Sequence, residues 1–324
     1  GSPATNCTPT SPGTLTIPLE RGARASIVLS TSMRQAVDAG GIIERELARR
    51  APLTRGVGDV LLYWLNRAAD QFMVTRGDGG ESVIAGYHWF CDWGRDTMIS
   101  LPGLALSRGH QSMARAVLAT FSRYQKDGLL PNRFPDLGEA PVYNSVDAAL
   151  WYAYAAERYL DSTGDEVFAR EVIYPTLVAI VHGFREGTRY NIRMDEDGLI
   201  TQGHTGYALT WMDAKMGDWV VTPRHGKPVE VNALWYNLLG FTGDLAERLG
   251  GGADAGPYRE LADRVRPSFG KFWFKEGGYL HDLLTPDGPD PAIRPNQVFA
   301  LALPRMLLEP EQARSVLAVV EREL

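Results

Sequence analysis

The chain has 324 residues, and 44% of them are hydrophobic, which is enough to form a sizeable core in one large domain or two ordinary ones. The formal net charge is −6, and no cluster of Lys and Arg stands out along the chain. These features argue against a nucleic-acid partner and against binding to an anionic membrane. A small neutral or polar ligand fits the composition better.

Sequence motifs for cofactors, metals and targeting signals are missing. Cys7 and Cys91 offer neither a zinc spacing nor a disulfide framework, and there is no nucleophile elbow or phosphate loop. We therefore expect no cofactor and no metal. No apolar run reaches the roughly 18 residues of a membrane span, and the N-terminus lacks a secretory pattern. A reducing, cytoplasmic location is the expectation.

The N-terminal segment differs in its pattern from the rest of the chain. Residues 13–30 alternate apolar and polar side chains on either side of the turn Glu20-Arg21-Gly22, which predicts a β-hairpin. Because an isolated hairpin is marginally stable in water, we interpret residues 1–32 as the remnant of an N-terminal β domain. Residues 33–55 are predicted to form a helical linker, and residues 56–324 the main domain.

From Gly56 onward almost every periodic segment predicts a helix. Leu61, Leu65 and Phe72 recur at helical spacing, and so do the tryptophans that we assign to the core. Those core tryptophans are Trp64, Trp151, Trp235 and Trp273. The nine predicted helices lie near 57–74, 96–107, 111–126, 145–163, 165–185, 230–249, 257–274, 296–307 and 310–324.

The connections between these helices alternate between short and long. If successive helices run antiparallel, all the long connections fall at one end of the domain. This organisation predicts an all-α fold in which inner and outer helices alternate, as in an α/α toroid. The helices beginning near 96, 145, 230 and 296 would be the inner ones, and polar residues and tryptophans do cluster before each of them.

Two of these clusters combine tryptophan, carboxylate and a cation. The first is Trp93-Gly94-Arg95-Asp96, and the second extends from Thr210 to Trp219. Flat aromatic faces suit the apolar side of a pyranose, ionic groups bind its hydroxyls, and a carboxyl group can protonate a glycosidic oxygen. The clusters therefore predict a sugar-binding pocket.

Asp213 is the candidate general acid, because partial desolvation beside Trp211 and Met212 would favour its protonated form. The alternative interpretation is an ordinary helix-capping aspartate. Arg95 and Asp96 are predicted to clamp neighbouring hydroxyls, although Asp96 could equally be a cap. The full set of candidate substrate-binding residues is Trp93, Arg95, Asp96, Asn132, Arg133, Asn144, Asp147, Trp211, Lys215, Asp218, Trp219, Glu230, Asn296 and Gln297.

Six segments resemble, in order, the C-terminal amylo-α-1,6-glucosidase domain of bacterial and archaeal glycogen debranching enzymes. They are Gly86 to Asp96, Pro131 to Asp136, Tyr143 to Ala148, Thr210 to Trp219, Lys227 to Trp235 and Arg294 to Gln297. The resemblance implies an (α/α)6 toroid. It also implies hydrolysis, with inversion, of the α-1,6-linked glucose left on a trimmed glycogen branch. By position, Asp213 corresponds to the general acid, and Arg95 with Asp96 to contacts with the terminal glucose.

The resemblance also raises an expectation about the end of the chain, which stops after nine of twelve expected helices. The general base would then lie beyond Leu324, and the chain alone would be inactive, since hydrolysis needs both carboxylates. The partner is expected to be a branched α-glucan such as glycogen or a limit dextrin. Two alternatives stay open: a glycan-binding module without catalysis, and a toroid enzyme acting on another substrate such as trehalose.

Overall fold

The structure, a computed structural model, describes residues 14–29, 37–77, 79–87, 89–135, 139–250 and 254–324. The chain divides into two compact units, one ending at Gln71 and the other beginning at Phe72. The first unit contains helix α1 (Ala39–Arg50), a 3-10 turn (Ala51–Thr54) and helix α2 (Val60–Asp70). Helix α1 lies within the segment predicted to be a helical linker.

The N-terminal segment does not form the predicted hairpin, because residues 14–29 contain no strand. The predicted turn is present: the Ala23 amide donates to the Glu20 carbonyl at 2.9 Å, and Gly22 adopts a φ of +88°. Every residue on both sides of the turn is exposed. A two-stranded hairpin has little stability of its own in water, and residues 14–29 offer no third strand. The rest of the predicted β remnant, residues 1–13 and 30–32, lies outside the described residues.

Helix α2 shows that periodicity alone does not establish burial. Trp64 is 58% exposed, so its assignment to the core is wrong. None of the described residues of α2 is buried. Helical spacing identifies the apolar face of a helix, but whether another element covers that face depends on tertiary packing.

The second unit is mainly helical and arranged in two layers. Its helices in chain order are α3 (Gly94–Leu104), α4 (Gln111–Arg123), α5 (Ala148–Thr163), α6 (Glu166–Phe168), α7 (Tyr174–Glu186), α8 (Val229–Leu249), α9 (Gly256–Phe269), α10 (Phe299–Ala302) and α11 (Pro310–Glu323). Helices α5 and α8 are buried along most of their length, whereas α9 and α11 bury only a narrow stripe. A helix buried on all sides belongs to the interior, and an amphipathic helix to the outer layer.

The helices predicted to be inner follow one another in space, and of these α5 and α8 are buried along most of their length. Helix α3 contacts α5, α5 contacts α8, and α8 contacts α10, while α4 packs on α5 and both α7 and α9 pack on α8. The helices predicted to be inner are thus consecutive neighbours. Each of the nine predicted helical segments overlaps an observed helix.

The predicted helix 296–307 is much shorter than expected. A 3-10 turn (Pro295–Val298) leads into α10, which ends at Ala302. Leu303 adopts an extended conformation with φ −72° and ψ 156°. The reason is local: the residue before a proline, here Pro304, is sterically biased away from the helical region.

The stretch Glu166–Glu186 joins α6 and α7 through a π-helical segment (Ala169–Ile173). By length and composition it could cross a membrane, contrary to the expectation from the sequence, and 44% of its most apolar window is buried. Core helices of globular domains pass the same test. The packing of α7 against α8 is that of a core helix.

Short strands occupy the long connections, which the all-α prediction did not anticipate. They are β1 (Met73–Thr75), β2 (Glu81–Gly86), β3 (Phe90–Trp93), β4 (Arg133–Phe134), β5 (Arg193–Met194), β6 (Ile200–Thr201), β7 (Lys215–Met216), β8 (Trp219–Val220), β9 (Lys227–Pro228), β10 (Trp273–Phe274), β11 (Tyr279–Leu280), β12 (Leu283–Thr285) and β13 (Gly288–Asp290). Strands β1 to β4 form one antiparallel sheet in chain order. A second sheet has the order β13-β12-β9, and the remaining strands pair as hairpins.

Candidate active site

A cavity of about 270 Å³ lies where strand β3 meets helix α3. Its lining residues are Ala85, Phe90, Trp93, Arg95, Asp96, Trp211 and Asp213. The structure therefore brings together the two clusters that the sequence singled out, although they are more than one hundred residues apart. Its volume is slightly below the roughly 300–1,000 Å³ of typical ligand pockets, a size that suits a single sugar ring better than a chain.

The junction of β3 and α3 depends on a glycine. Gly94 follows the last residue of β3 and begins α3, and its amide donates to the Asn132 carbonyl at 2.8 Å. A Cβ atom at Gly94 would overlap the carbonyl oxygen of Pro131. Only glycine permits this close approach. The junction places Trp93, Arg95 and Asp96 in the wall of the cavity.

The guanidinium of Arg95 is the centre of the site. Its Nε donates to both carboxylate oxygens of Asp147, at 2.8 and 3.0 Å, and its Nη1 donates to Asp213 at 3.1 Å. Nη2 reaches the Ser145 hydroxyl at 3.4 Å, and that hydroxyl donates to Asp147 at 2.6 Å. Burial alone would lower the pKa of Arg95, but Asp147 and Asp213 raise it, so the group stays charged.

These contacts revise two predictions. Asp147, expected to bind sugar hydroxyls, is 1% exposed and binds the face of Arg95 that points away from solvent. Each guanidinium nitrogen of Arg95 already has a protein acceptor, so the residue is only in part the predicted clamp. The terminal nitrogens each keep a second N–H for a ligand. Asp147 instead orients Arg95, and Arg95 orients Asp213.

Asp213 is accessible to solvent, with 42% of its side chain exposed. Trp211 and Met212 therefore do not enclose its carboxylate in the way that the sequence suggests. The helix-capping alternative is also wrong, because α8 begins at Val229 with Pro228 as its N-cap residue. Its ion pair with Arg95 bridges 118 positions of the chain and orients the carboxylate at the cavity.

Asp96 lies in the first turn of α3, where a carboxylate is favoured by the helix dipole. It does not cap the helix, since the N-cap residue is Trp93. Desolvation in the cavity wall raises the pKa of Asp96 against the opposing charge of Arg95, and the negative charges of Asp213 and Asp147 add to the rise. Asp96 therefore holds a proton more readily than an aspartate in water does.

Asn132, Asn144 and Arg133 lie beside the cavity but not on its wall. The Asn132 side-chain amide donates to Asn144 Oδ1 at 3.1 Å, and the Asn132 backbone amide donates to the Val142 carbonyl at 2.7 Å. Arg133 pairs with Trp93 through the backbones of β4 and β3. These residues join the two chain segments behind the cavity, and their contact with a sugar stays a prediction.

Lys215, Asp218 and Trp219 belong to the β7–β8 hairpin and do not line the cavity. Gly217 has a φ of +57° at the first central position of the two-residue turn, whereas Asp218 is not left-handed. This pattern is typical of a type II′ turn. All three predicted residues are exposed, and the Lys215 ammonium donates to the Gly206 carbonyl at 2.9 Å.

Glu230, Asn296 and Gln297 lie in a different cluster, so their prediction as residues of the pocket is wrong. Arg224 donates to Glu230 at 2.8 Å and to Asp282 at 2.7 and 2.9 Å, and Asn296 donates to both carboxylates. Gln297 accepts from the Leu280 amide at 3.1 Å. All of these side chains are buried. The cluster joins the loop before α8 to strand β12 and to the turn before α10.

Sequence reasoning missed Arg224 and Asp282, which neutralise and enclose Glu230. Arg224 has a left-handed φ of 45°, which is uncommon for a residue with a side chain. Its position between Pro223 and Pro228 was the one available signal, because such a loop has restricted freedom. His88 and Asp136, which belong to the segments that carry the family resemblance, lie outside the described residues. Among the described residues, no group of three or more His, Cys, Asp and Glu could hold a metal.

A small cavity bounded by two tryptophans and two carboxylates, at the end of a layer of helices, is typical of proteins that bind carbohydrates. Residues 67–324 match the family described as amylo-alpha-1,6-glucosidase, and the chain belongs to this family. It is also 26% identical, over 344 aligned positions, to a glycogen debranching enzyme of Saccharomyces cerevisiae. That alignment covers 78% of this chain and only 22% of the yeast protein.

Two solved structures are similar at a lower level. One is a rhamnosidase from Klebsiella oxytoca with rhamnose bound, with a TM-score of 0.49, and the other a rhamnosidase of family GH78 from Bacillus sp. GL1, with a TM-score of 0.48. Each is 18% identical and covers 66% of this chain, and the matches extend over 38% and 20% of those chains. Similarity at this level says nothing about the substrate of this chain.

Proposed function

We propose that this chain provides the catalytic site of a glycoside hydrolase that removes α-1,6-linked glucose stubs from trimmed branches of glycogen. The family match and the name of the yeast relative support this class of reaction and substrate. The observation that carries the proposal is the cavity itself. Trp93 and Trp211 provide aromatic faces for one glucose ring, and Asp96 and Asp213 provide carboxyl groups at its edge.

In this proposal Asp213 is the general acid. Protonation of the glycosidic oxygen requires a carboxyl group that the substrate can reach, and Asp213 is both accessible and held at the cavity by Arg95. The raised pKa of Asp96 makes it the alternative proton donor within the same cavity. In its primary role Asp96 binds hydroxyls of the glucose ring.

We further propose that the reaction proceeds with inversion, so that a second carboxylate activates water on the opposite face of the sugar. Glu230 is not that base, because its carboxylate is buried and ion-paired with Arg224. The succession α3, α5, α8, α10 supports, for the domain, a toroid in which six inner helices alternate with six outer ones. The site then lies at the N-terminal ends of the inner helices.

The test is glucose release from a limit dextrin by the full-length protein. Asp213→Asn should lower kcat by roughly 10²–10⁴-fold, since acid catalysis is lost, while glucose affinity stays within about twofold. Asp263→Asn, which removes an exposed carboxylate on α9, serves as the matched control and should be fully active. Proton NMR of the freshly released glucose should show the β-anomer.

A loss of less than about tenfold in Asp213→Asn would move the acid role elsewhere, first to Asp96. Release of the α-anomer would contradict inversion. If the protein binds glucose and limit dextrin but releases no glucose, the non-catalytic glycan-binding alternative replaces the proposal.

A further inference from the structure

The β7–β8 hairpin presents an apolar surface that the catalytic proposal does not use. Met216 and Trp219 stand directly opposite each other in its register, and they are 70% and 61% exposed. Residues directly opposite in an antiparallel pair point to the same face of the ribbon. The two side chains therefore form one exposed patch, which we call the hairpin face.

The opposite face of the ribbon is attached to the domain. Lys215 pairs with Val220 on that side, and its ammonium donates to the Gly206 carbonyl while lying 5.9 Å from the centre of the Tyr207 ring. Tyr207 in turn packs against Tyr190, with ring centroids 4.6 Å apart. A two-stranded hairpin has little stability of its own, so these contacts orient the hairpin face.

The hairpin face is adjacent to the candidate active site along the chain. Asp213 precedes Lys215 by two residues, and two residues of extended chain span about 7 Å. Contiguous exposed apolar surface rimmed by polar residues is typical of ligand-binding sites, whereas single exposed apolar residues are ordinary. A tryptophan ring in that position is suited to the apolar face of a sugar.

We propose that the hairpin face is a subsite for the α-1,4-linked glucan chain that carries the glucose stub, with Trp219 as its main contact. This proposal rests on the proposed function, because it assigns the cavity to the stub and the hairpin to the rest of the branch. The cavity has room for about one ring, so the remaining glucose units extend beyond its edge, and Asp213 lies at the edge from which the chain continues into the hairpin. Trp219 would then determine the preference for a branched polymer over a small glucoside.

The experiment compares the affinities of glucose and maltoheptaose, measured by isothermal titration calorimetry with the 324-residue chain. Trp219→Ala should weaken maltoheptaose binding about tenfold, the size expected for losing one stacked ring, and leave glucose affinity within about twofold. Trp219→Phe should retain most of the affinity for maltoheptaose. Trp64→Ala removes a similarly exposed tryptophan of the first unit and should change neither affinity.

Each outcome separates the two proposals. If the unmodified chain binds both sugars and Trp219→Ala leaves the maltoheptaose affinity unchanged, the subsite is wrong and the proposed function stands. Equal losses for glucose and maltoheptaose would also overturn the subsite. A change of sedimentation velocity in Trp219→Ala, without a change in sugar affinity, would assign the hairpin face to contact between copies of the chain instead. If neither the 324-residue chain nor the full-length protein binds glucose or maltoheptaose, the proposed function is refuted, and the subsite with it.

Discussion

Replacing Arg224 by Met should destabilise the second unit more than any comparable change at a surface ion pair. Arg224, Glu230 and Asp282 are between 1% and 4% exposed, and the guanidinium binds both carboxylates through two nitrogens each. Methionine fills a similar volume without the charge. Both carboxylates would then lose the Arg224 guanidinium in a site that is almost closed to solvent, and Asp282 would keep Arg294 as a cationic partner.

The size of the effect follows from the geometry. At 2.8 Å and an effective dielectric constant of about 20, one such ion pair corresponds to roughly 6 kcal/mol of gross Coulomb energy. Much of this is offset by the desolvation of the ions, and removing one partner of a buried pair costs about 3–5 kcal/mol. In a domain of this size the midpoint of thermal unfolding should fall by roughly 10 °C.

The assay is guanidinium unfolding followed by circular dichroism, with two further variants. Arg248→Met makes the same substitution in an exposed pair with Glu166, and it should lower the free energy of unfolding by less than about 1 kcal/mol. Adding Glu230→Gln to Arg224→Met removes one of the unpaired charges, so the double variant should recover part of the free energy of unfolding that Arg224→Met loses.

Two results would refute this reasoning. The first is a loss in Arg224→Met no larger than that in Arg248→Met, which would mean that the buried cluster is solvated or dispensable. The second is a change in unfolding free energy for the double variant that equals the sum of the changes for the two single variants, because such additivity would show that Arg224 and Glu230 do not interact.

Two further predictions concern helix α3. Gly94→Ala should destabilise the protein by about 1–3 kcal/mol and weaken glucose binding, because the new methyl group meets the Pro131 carbonyl. Gly103→Ala, whose methyl group meets no other atom, should stabilise the same helix by about 0.5–1 kcal/mol. Equal effects of the two substitutions in denaturant unfolding would contradict the close approach of Gly94 to Pro131. Desolvation raises the pKa of Asp96 above its unfolded value of 3.8, so the contribution of this group to stability is lost as pH rises through the folded pKa. The stability of Asp96→Asn relative to the native chain should therefore increase from pH 3 to pH 7. Thermal midpoints measured across that range should diverge, and parallel curves would argue against the raised pKa.

Much of the helical framework could be predicted because it depends on local information. Periodic apolar residues located the helices, and the alternation of short and long connections grouped α3, α5, α8 and α10, which the structure places as consecutive neighbours. Where a prediction of this kind was wrong, as at the end of α10, a single steric rule at Leu303 and Pro304 explains the difference. Residues 14–29 show the reverse case, because their apolar and polar side chains alternate but no strand forms within this described segment.

The predictions for the site also agree with the structure where they depend on residues close together in the chain and differ from it where they depend on distant ones. Trp93, Arg95 and Asp96 could be found because they are adjacent in the chain and their junction with β3 is local. Asp213 could be proposed from its tryptophan neighbours, but its exposure and its partner could not, because Arg95 lies 118 positions away.

The sequence by itself determined which residues are chemically suited to bind a sugar and near which helix ends they lie. Only the tertiary structure decided which of them face the cavity and which neutralise one another inside the domain. Asp147 and Glu230 have the same chemistry as Asp96 and Asp213, yet the first two are buried against Arg95 and Arg224. A buried carboxylate requires a cation, and which cation meets it depends on the packing of loops far apart in the chain.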